Sequence, residues 1–372
     1  MAAFAFYRLP YKHNYTLVMQ NDDDPEKIYS IDELNGKSGF VIAPFMPSET
    51  CPILLMRPDV VRNFHLKDEE GKPKEEKDNK TATNIDTTLA SGTHSTKGKD
   101  WQTYADDFDD FHEQLENGNF KKLVLARTYR LKSEAAAHIK AEDLFKKACK
   151  MYPRLFIALI STTQSGTWLM ATPEVLLSGN GCEFTTMALA GTQTAPSSPI
   201  VADKPIEGVE WSDKNQEEQQ YVADYIEDVL SEYTDHYTKK GPYTTMAAQL
   251  YHLRTDFLFR LDDIDCLGNL LDDLFPTPAI CGIPKEEAQQ FITTHEGFDR
   301  KYYSGFVGPL MPQAETHLYV SLRCMNIHQG GKFDLYAGGG LLADSELQNE
   351  WEETEAKMQT MKRVIGSEEF NR

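Results

Sequence analysis

The chain lacks any long apolar run. Across its 372 residues, no window approaches the roughly 18 to 20 consecutive apolar residues that a membrane-spanning helix requires. The first residues also show no basic leader followed by an apolar stretch of the kind that directs secretion. We therefore expect a cytoplasmic protein that does not enter a membrane.

Cysteines and basic residues are both scarce. The six cysteines are scattered and form no CxxC pair, so neither a zinc site nor a disulfide framework is expected. Lysine and arginine number 38 against 58 aspartates and glutamates, which gives a net charge of −20. Because nucleic-acid binding needs a basic surface, this balance argues against nucleic acid as the main partner.

The composition is otherwise that of an ordinary globular protein, with 40% hydrophobic and 11% aromatic residues. Residues 1–65 have the pattern of short strands. Residues 66–100 are rich in charged and small polar side chains and almost lack large apolar ones, which predicts a mobile loop. In residues 101–372, helical and strand patterns come in runs rather than in strict alternation. This order predicts an α+β architecture with antiparallel sheets.

Hydrophobic periodicity also predicts individual elements in the larger part. We expect helices over residues 101–117, 141–148 and 215–233. We expect strands over residues 122–130, 155–161, 166–171, 175–178, 304–310, 317–326 and 333–337.

Three glycines at 338–340 precede a helix that is dense in carboxylates. The glycines predict a turn whose exposed backbone N–H groups can receive an anion. Glu350, Glu353 and Lys357 are three and four residues apart and share one helical face. Two carboxylates one turn apart can both bind a hard cation such as Mg²⁺. The pattern indicates an anion held beside a metal, and the alternative is a plain turn before a solvated helix.

Five further residues are candidates, each with a structural alternative. Lys122, in an apolar strand, is either a base in a dry cleft or a strand-end lysine that reaches solvent. Glu174, beside a proline and apolar residues, is either a protonated acid or an exposed turn residue. Glu218 either binds a metal or lies on the solvated face of its helix. Arg323 pairs with a structural acid or with a substrate anion, and His252 is more often a core residue than a catalytic one.

Taken in order, these segments resemble the chorismate-utilising enzymes, a family that includes isochorismate, salicylate, anthranilate and aminodeoxychorismate synthases. The resemblance covers roughly residues 101–365. It implies two large, mainly antiparallel sheets that face each other as a sandwich, with helices outside. The matching segments are 122–127 (KLVLAR), 172–177 (TPEVLL), 189–192 (LAGT), 214–218 (KNQEE), 252–253 (HL), 275–284 (FPTPAICGIP), 298–308 (FDRKYYSGFVG), 321–324 (SLRC), 338–340 (GGG) and 350–354 (EWEET).

The resemblance also implies roles for the candidate residues. Glu218 and Glu353 would hold Mg²⁺, with Glu350 supporting the metal. Lys122 would act as the general base and Glu174 as the general acid. The substrate would be bound by Gly191 and Thr192 at the cleft floor, His252 near the ring, and Tyr303, Arg323, Gly338 and Gly340 around the enolpyruvyl carboxylate. Lys357, with Glu350, would support the metal shell and the substrate carboxylate.

The activity implied is that of an isochorismate synthase, which adds water at C2 of chorismate and expels the C4 hydroxyl, for menaquinone or siderophore biosynthesis. Water-using members of the family have lysine at the position of Lys122, whereas the amine-forming members usually do not. A salicylate synthase, which also eliminates pyruvate, is the first alternative. An amine-forming synthase and a non-enzymatic scaffold are further alternatives. We expect a monomer without an obligate glutaminase subunit.

Overall fold

Two nine-stranded antiparallel sheets dominate the computed structural model, which describes residues 2–66, 101–195 and 205–366. The first twelve elements are β1 Phe4–Arg8, β2 Asn14–Met19, β3 Glu26–Ile28, β4 Gly39–Ala43, β5 Ile53–Met56, β6 Val60–His65, α1 Trp101–Glu116, β7 Lys122–Lys132, α2 Ala141–Met151, β8 Phe156–Thr162, β9 Gly166–Thr172 and β10 Val175–Asn180. The remaining elements are β11 Glu183–Thr194, α3 Asp213–Tyr233, β12 Tyr237–Ala247, β13 Leu250–Arg260, α4 Leu267–Leu274, β14 Gly282–Ile283, α5 Lys285–His295, β15 Phe306–Leu310, β16 Glu315–Val320, β17 Cys324–His328, β18 Lys332–Leu341 and α6 Leu347–Ile365.

Each sheet combines strands from both ends of the chain. The first sheet has the order β14-β7-β18-β17-β9-β8-β1-β2-β6, and the second has the order β12-β13-β11-β10-β16-β15-β4-β5-β3. The six N-terminal strands are divided between the two sheets. The predicted division into residues 1–65, 66–100 and 101–372 stays a prediction, and residues 67–100 of the expected loop lie outside the described residues.

The strand β8 shows how the sandwich is packed. It is buried along its whole length, and its side chains alternate between two cores. Phe156, Ala158 and Ile160 belong to the cluster between the sheets, which also contains Trp168. Ile157 and Leu159 point the other way, into a cluster that includes side chains of α2 and α6. The continuous apolar run therefore reflects a strand that is covered on both faces.

The helices cover the outer faces of the sheets. Ser212 caps the N-terminus of α3 by accepting a hydrogen bond from the backbone N–H of Asn215. The apolar stripe of α3, which includes Val222, Ile226 and Leu230, packs with α4 against the second sheet. On the first sheet, α1 and α5 form a separate cluster against β7 and β18. The predicted sandwich with outer helices is confirmed.

Two local predictions were wrong. Residues 317–326 form two strands rather than one, because the chain leaves the second sheet after β16 and enters the first sheet as β17. Arg323, at this crossover, has φ +47. The glycines at 338–340 are not a turn but the end of β18, paired with Ala126, Leu125 and Val124 of β7. Hydrophobic periodicity does not reveal either feature. The chain forms strands on both sides of the change of sheet, and the glycines continue a strand instead of ending it.

Among the residues that the structure describes, no helix is both long enough and apolar enough to span a bilayer.

Candidate active site

A cavity between the two sheets collects most of the predicted site residues. Those that line it are Glu174, Gly191, Thr192, Glu218, His252, Tyr303, Arg323, Gly338, Gly340 and Lys357. Lys122, Glu350 and Glu353 do not line it directly. Lys122 lies beside Gly340 and Glu218, and Glu350 and Glu353 lie beside Gly339.

Two neighbouring crossovers place Glu174 and Arg323. The chain passes from the first sheet to the second between β9 and β10, at Glu174, and it returns between β16 and β17, at Arg323. Backbone hydrogen bonds join the two crossovers. The N–H of Val320 donates to the carbonyl of Glu174 (3.0 Å), and the N–H of Ala171 donates to the carbonyl of Arg323 (3.2 Å). The side chains of Glu174 and Arg323 are therefore held by the junction of the sheets rather than by a loose loop.

The carboxyl group of Glu174 is neutral in this setting. The residue is 2% exposed, and its Oε1 atom has no hydrogen-bond partner among the described residues. Burial raises the pKa of Glu174 to about 8, although the charges of Lys122, Lys357 and Arg323 act to lower it. A carboxylic acid that stays protonated at neutral pH can donate its proton to a leaving hydroxyl group.

Arg323 and His252 form a buried donor chain. An Arg323 Nη2–H donates to His252 Nε2 at 2.9 Å, and His252 Nδ1–H donates to the carbonyl of Gly191 at 2.8 Å. This arrangement requires a neutral imidazole, and burial together with the charge of Arg323 lowers the pKa of His252 well below its usual value. Burial lowers the pKa of Arg323 to about 10, which still leaves the guanidinium charged at neutral pH. Arg323 Nη1 is buried without a partner in the described chain, so the site presents an unsatisfied cationic donor.

Lys122 of β7 and Glu218 of α3 form an ion pair. Lys122 is fully buried on β7, and its Nζ atom lies 2.9 Å from Glu218 Oε1. Burial acts to raise the pKa of Glu218, but the combined attraction of Lys122, Lys214 and Lys357 outweighs it, and the pKa is lowered. The second carboxylate oxygen accepts the N–H of Gly191 at 3.1 Å.

The glycine strand presents backbone groups toward the cavity. The N–H of Val124 donates to Cys281 and the N–H of Ala126 donates to Glu296, so both point away from β18. Their partners in the ladder, Gly340 and Gly338, must therefore direct their own N–H and C=O groups away from β7. The carbonyl of Gly338 accepts from Lys357 Nζ at 2.8 Å, as this geometry requires.

Glycine is needed at 339 and 340 because side chains approach the strand closely. A Cβ atom on Gly340 would lie 2.1 Å from Glu218 Oε1 and 2.8 Å from Lys122 Cε. A Cβ atom on Gly339 would lie 2.9 Å from Glu350 Oε2 and 3.4 Å from Glu353 Oε1. Three carboxylates and a lysine thus reach the end of β18 only because it carries no side chains.

These three carboxylates are suited to a hard cation. Glu350 and Glu353 pair with Lys214 and Lys357 respectively. Glu350 nevertheless keeps a buried Oε2 atom without a partner, and burial together with the repulsion of Glu353 raises its pKa to about 7. Within residues 2–66, 101–195 and 205–366, no group of three or more potential metal-ligating side chains is already assembled. An unpaired carboxylate oxygen and a space that a Cβ atom would fill fit a Mg²⁺ ion.

Several residues that shape the site were not singled out from the sequence. Lys214 is one turn before Glu218 on α3, and this spacing was the available signal. Arg300 donates to the carbonyl of Val124 (2.8 Å) and pairs with Glu296, so a buried ion pair fixes the edge of β7. No local pattern distinguishes this pair from a surface i,i+4 pair. Ser304, which has φ +56, also lines the cavity.

Comparisons with known proteins agree with this architecture. Residues 58–366 match the family model of chorismate binding enzymes. Isochorismate synthase EntC of Escherichia coli (strain K12) is 28% identical over 246 residues, which cover 66% of this chain and 62% of that protein. Isochorismate synthase DhbC of Bacillus subtilis (strain 168) is 28% identical over 261 residues, covering 68% of this chain and 65% of its own length. The match thus spans less than two thirds of either relative.

A solved structure extends the likeness to the whole fold. The menaquinone-specific isochorismate synthase MenF of Escherichia coli superposes with a TM-score of 0.75 at 22% identity, over 98% of this chain and 89% of that chain. The family model covers most of the sequence, including β7, the two crossovers, the glycine strand and α6. The chain belongs to the chorismate-binding enzyme family.

Proposed function

We propose that this protein is an isochorismate synthase, which converts chorismate to isochorismate in a Mg²⁺-dependent isomerisation. Water adds at C2 of the ring and the C4 hydroxyl leaves, so atoms and charge balance without a redox partner. The observation that carries the proposal is the buried carboxyl group of Glu174, whose pKa burial raises to about 8, in a cavity that is also lined by Glu218 of the buried lysine–glutamate pair. The names of the relatives support this activity.

The roles of Glu174 and Lys122 follow from their environments. Glu174, with a pKa of about 8, donates its proton to the departing C4 hydroxyl. Lys122 takes a proton from the attacking water after its ammonium group has released the proton that it holds in the ion pair with Glu218. Glu218 lies 2.9 Å from Lys122 Nζ and fixes the position of the amine. The base and the acid come from different elements, one from β7 and one from the β9–β10 crossover, as attack and departure at separate ring carbons require.

Several groups that line the cavity could bind the substrate carboxylates. Arg323 Nη1, the hydroxyl group of Tyr303 and the N–H groups of Gly338 and Gly340 would bind the carboxylate of the enolpyruvyl arm. Gly191 and Thr192 line the floor of the cavity, and the His252–Arg323 contact holds the guanidinium in place. Fixed donors of this kind keep the reacting atoms correctly positioned and oriented during the reaction.

Glu218 and Glu353 would bind the Mg²⁺ ion, and Glu350 would support them. Bound there, the cation would neutralise the ring carboxylate and draw electron density from the diene. Lys214 and Lys357 balance the same carboxylates, and Lys357 also fixes the carbonyl of Gly338.

The test is product analysis. Purified protein is incubated with chorismate and Mg²⁺, and the products are separated by liquid chromatography. Isochorismate as the sole product, and its loss on chelation of the metal, is the expected result. Salicylate with stoichiometric pyruvate would establish the salicylate synthase instead, and anthranilate formed only with ammonia would establish an amine-forming synthase. Size-exclusion chromatography tests the expectation of a monomer without a glutaminase subunit.

A further inference from the structure

A second cavity lies on the other side of Arg323. Its lining includes Tyr152, Gln249, Gln359, Thr360 and Arg363, and we call it the outer cavity. Arg323 is the only residue that lines both this cavity and the one between the sheets, within the described part of the chain. The guanidinium group that is proposed to bind the substrate therefore forms the partition between the two.

The outer cavity has a defined framework. One wall is the last part of α6, and the other is the turn between β12 and β13, where Ala248 has φ +55. The N–H of Ala195 donates to the carbonyl of Gln249 at 3.2 Å and ties this turn to the end of β11. The hydroxyl group of Tyr152 donates to the carbonyl of Thr360 at 3.0 Å and ties the cavity floor to α6. The walls are thus held by hydrogen bonds on both sides.

The charge of the outer cavity is opposite to that of the protein. The chain has a net charge of −20, which repels an anionic ligand from most of the surface. In the described residues, no aspartate or glutamate lines the outer cavity, whereas two arginines do. Arg363 is exposed and Arg323 is 6% exposed, so one guanidinium faces solvent and the other lies at the inner end. Burial raises the pKa of Tyr152, but Arg363 and Arg323 both act to lower it, which places both cations near one hydroxyl group.

We propose that the outer cavity is a capture site for the carboxylate-bearing substrate, in which Arg363 makes the first contact and passes the anion to Arg323. This inference rests on the proposed function, because it takes the substrate to be the chorismate dianion. Local positive potential in a cleft of an acidic protein raises the rate of association with an anion, and salt screens the effect. Gln249, Gln359 and Thr360 supply neutral donors that can replace water around the passing carboxylate.

The experiment measures chorismate association by stopped-flow tryptophan fluorescence. Trp168 is a suitable reporter, since its ring lies 5.2 Å from the ring of Tyr336, which lines the cavity between the sheets. Binding is followed in the Glu174→Gln background, which slows turnover without changing the charge of the neutral acid. Arg363→Gln and Arg363→Glu are compared with Lys240→Glu, an exposed lysine of β12 outside both cavities.

At low ionic strength, the association rate constant is expected to fall about threefold in Arg363→Gln and about tenfold in Arg363→Glu, and both differences should vanish near 1 M salt. Lys240→Glu should change it less than twofold. Equal effects of Arg363→Glu and Lys240→Glu, or no effect of either, would overturn the capture site. Failure of the wild-type enzyme to convert chorismate that it binds would refute the proposed function alone. Failure of all variants to bind chorismate would overturn both proposals.

Discussion

The buried carboxyl group of Glu174 makes the free energy of unfolding depend on pH, and the substitution Glu174→Gln removes this dependence. Glutamine has nearly the same shape and cannot ionise, so Glu174→Gln keeps the neutral form at every pH. In the wild type, the pKa of Glu174 is about 8 in the folded state against a usual value of 4.5. The folded protein therefore holds a proton that the unfolded chain releases, and stability is lost as the pH rises between these two values.

The size of the effect follows from the shift. A pKa difference of one unit corresponds to about 1.4 kcal/mol. The pKa of Glu174 rises from 4.5 to about 8 on folding, and most of this rise falls within the range from pH 5 to pH 9. Linkage then predicts that the free energy of unfolding of the wild type falls, relative to Glu174→Gln, by about 4 kcal/mol over this range. Other titrating groups are common to both proteins and cancel in the difference.

Urea unfolding at pH 5, 7 and 9, followed by circular dichroism, measures this difference. Glu183→Gln is a matched control, because Glu183 is exposed at the start of β11. Its stability should follow that of the wild type at each pH. Glu174→Gln should also lower turnover by about 10² to 10⁴, since the acid is lost. The wild-type value of kcat/KM should fall above about pH 8 as Glu174 ionises. Parallel pH dependences of stability in the wild type and Glu174→Gln would refute the raised pKa.

The other predictions concern three positions of the site. Lys122→Ala should lower turnover by at least about 10² while calorimetry shows Mg²⁺ binding largely unchanged; near-normal turnover would exclude the base. Gly340→Ala places a Cβ atom 2.1 Å from Glu218 Oε1 and should lower turnover about 10²-fold. Its melting temperature should stay within a few degrees of the wild type, because the group displaced is the end of a side chain. Arg323→Lys keeps the charge but loses the fork that contacts His252, so KM should rise about tenfold; an unchanged KM would exclude the carboxylate contact.

The sequence predicts the individual helices and strands better than it predicts the points where the chain passes from one sheet to the other. The helix predicted over 101–117 and the strand predicted over 122–130 both formed, because their apolar patterns correspond to faces that are buried. The two crossovers were not predictable, since residues on either side of Arg323 remain extended and apolar while the chain passes from one sheet to the other. The left-handed backbone of Arg323 leaves no mark in the sequence, because arginine carries no preference for it.

For the glycine run, the structure replaces the predicted turn with a strand but keeps the glycines beside the carboxylates of the candidate site. Glycines before an acidic helix suggested a turn with exposed N–H groups. In the structure they are strand residues, and their importance is the space that they leave for Glu218 and Glu350. Sequence alone does not separate a glycine needed for its backbone angle from one needed for close approach, because the latter depends on side chains from α3 and α6.

The opposite states of two buried glutamates explain how one cavity can contain an acid and a fixed negative charge. Glu174 and Glu218 are both buried, and burial raises the pKa of each. The outcome differs because Lys122 Nζ lies 2.9 Å from Glu218, whereas Glu174 has no direct cationic partner in the described residues. For Glu218, the attraction of Lys122 at contact distance together with that of Lys214 and Lys357 exceeds the cost of desolvation, whereas the cations around Glu174 do not offset its burial. Moving the lysine by one strand position would place it on the other face of β7 and remove its contact with Glu218, so the register of β7 contributes to the difference in pKa between the two glutamates.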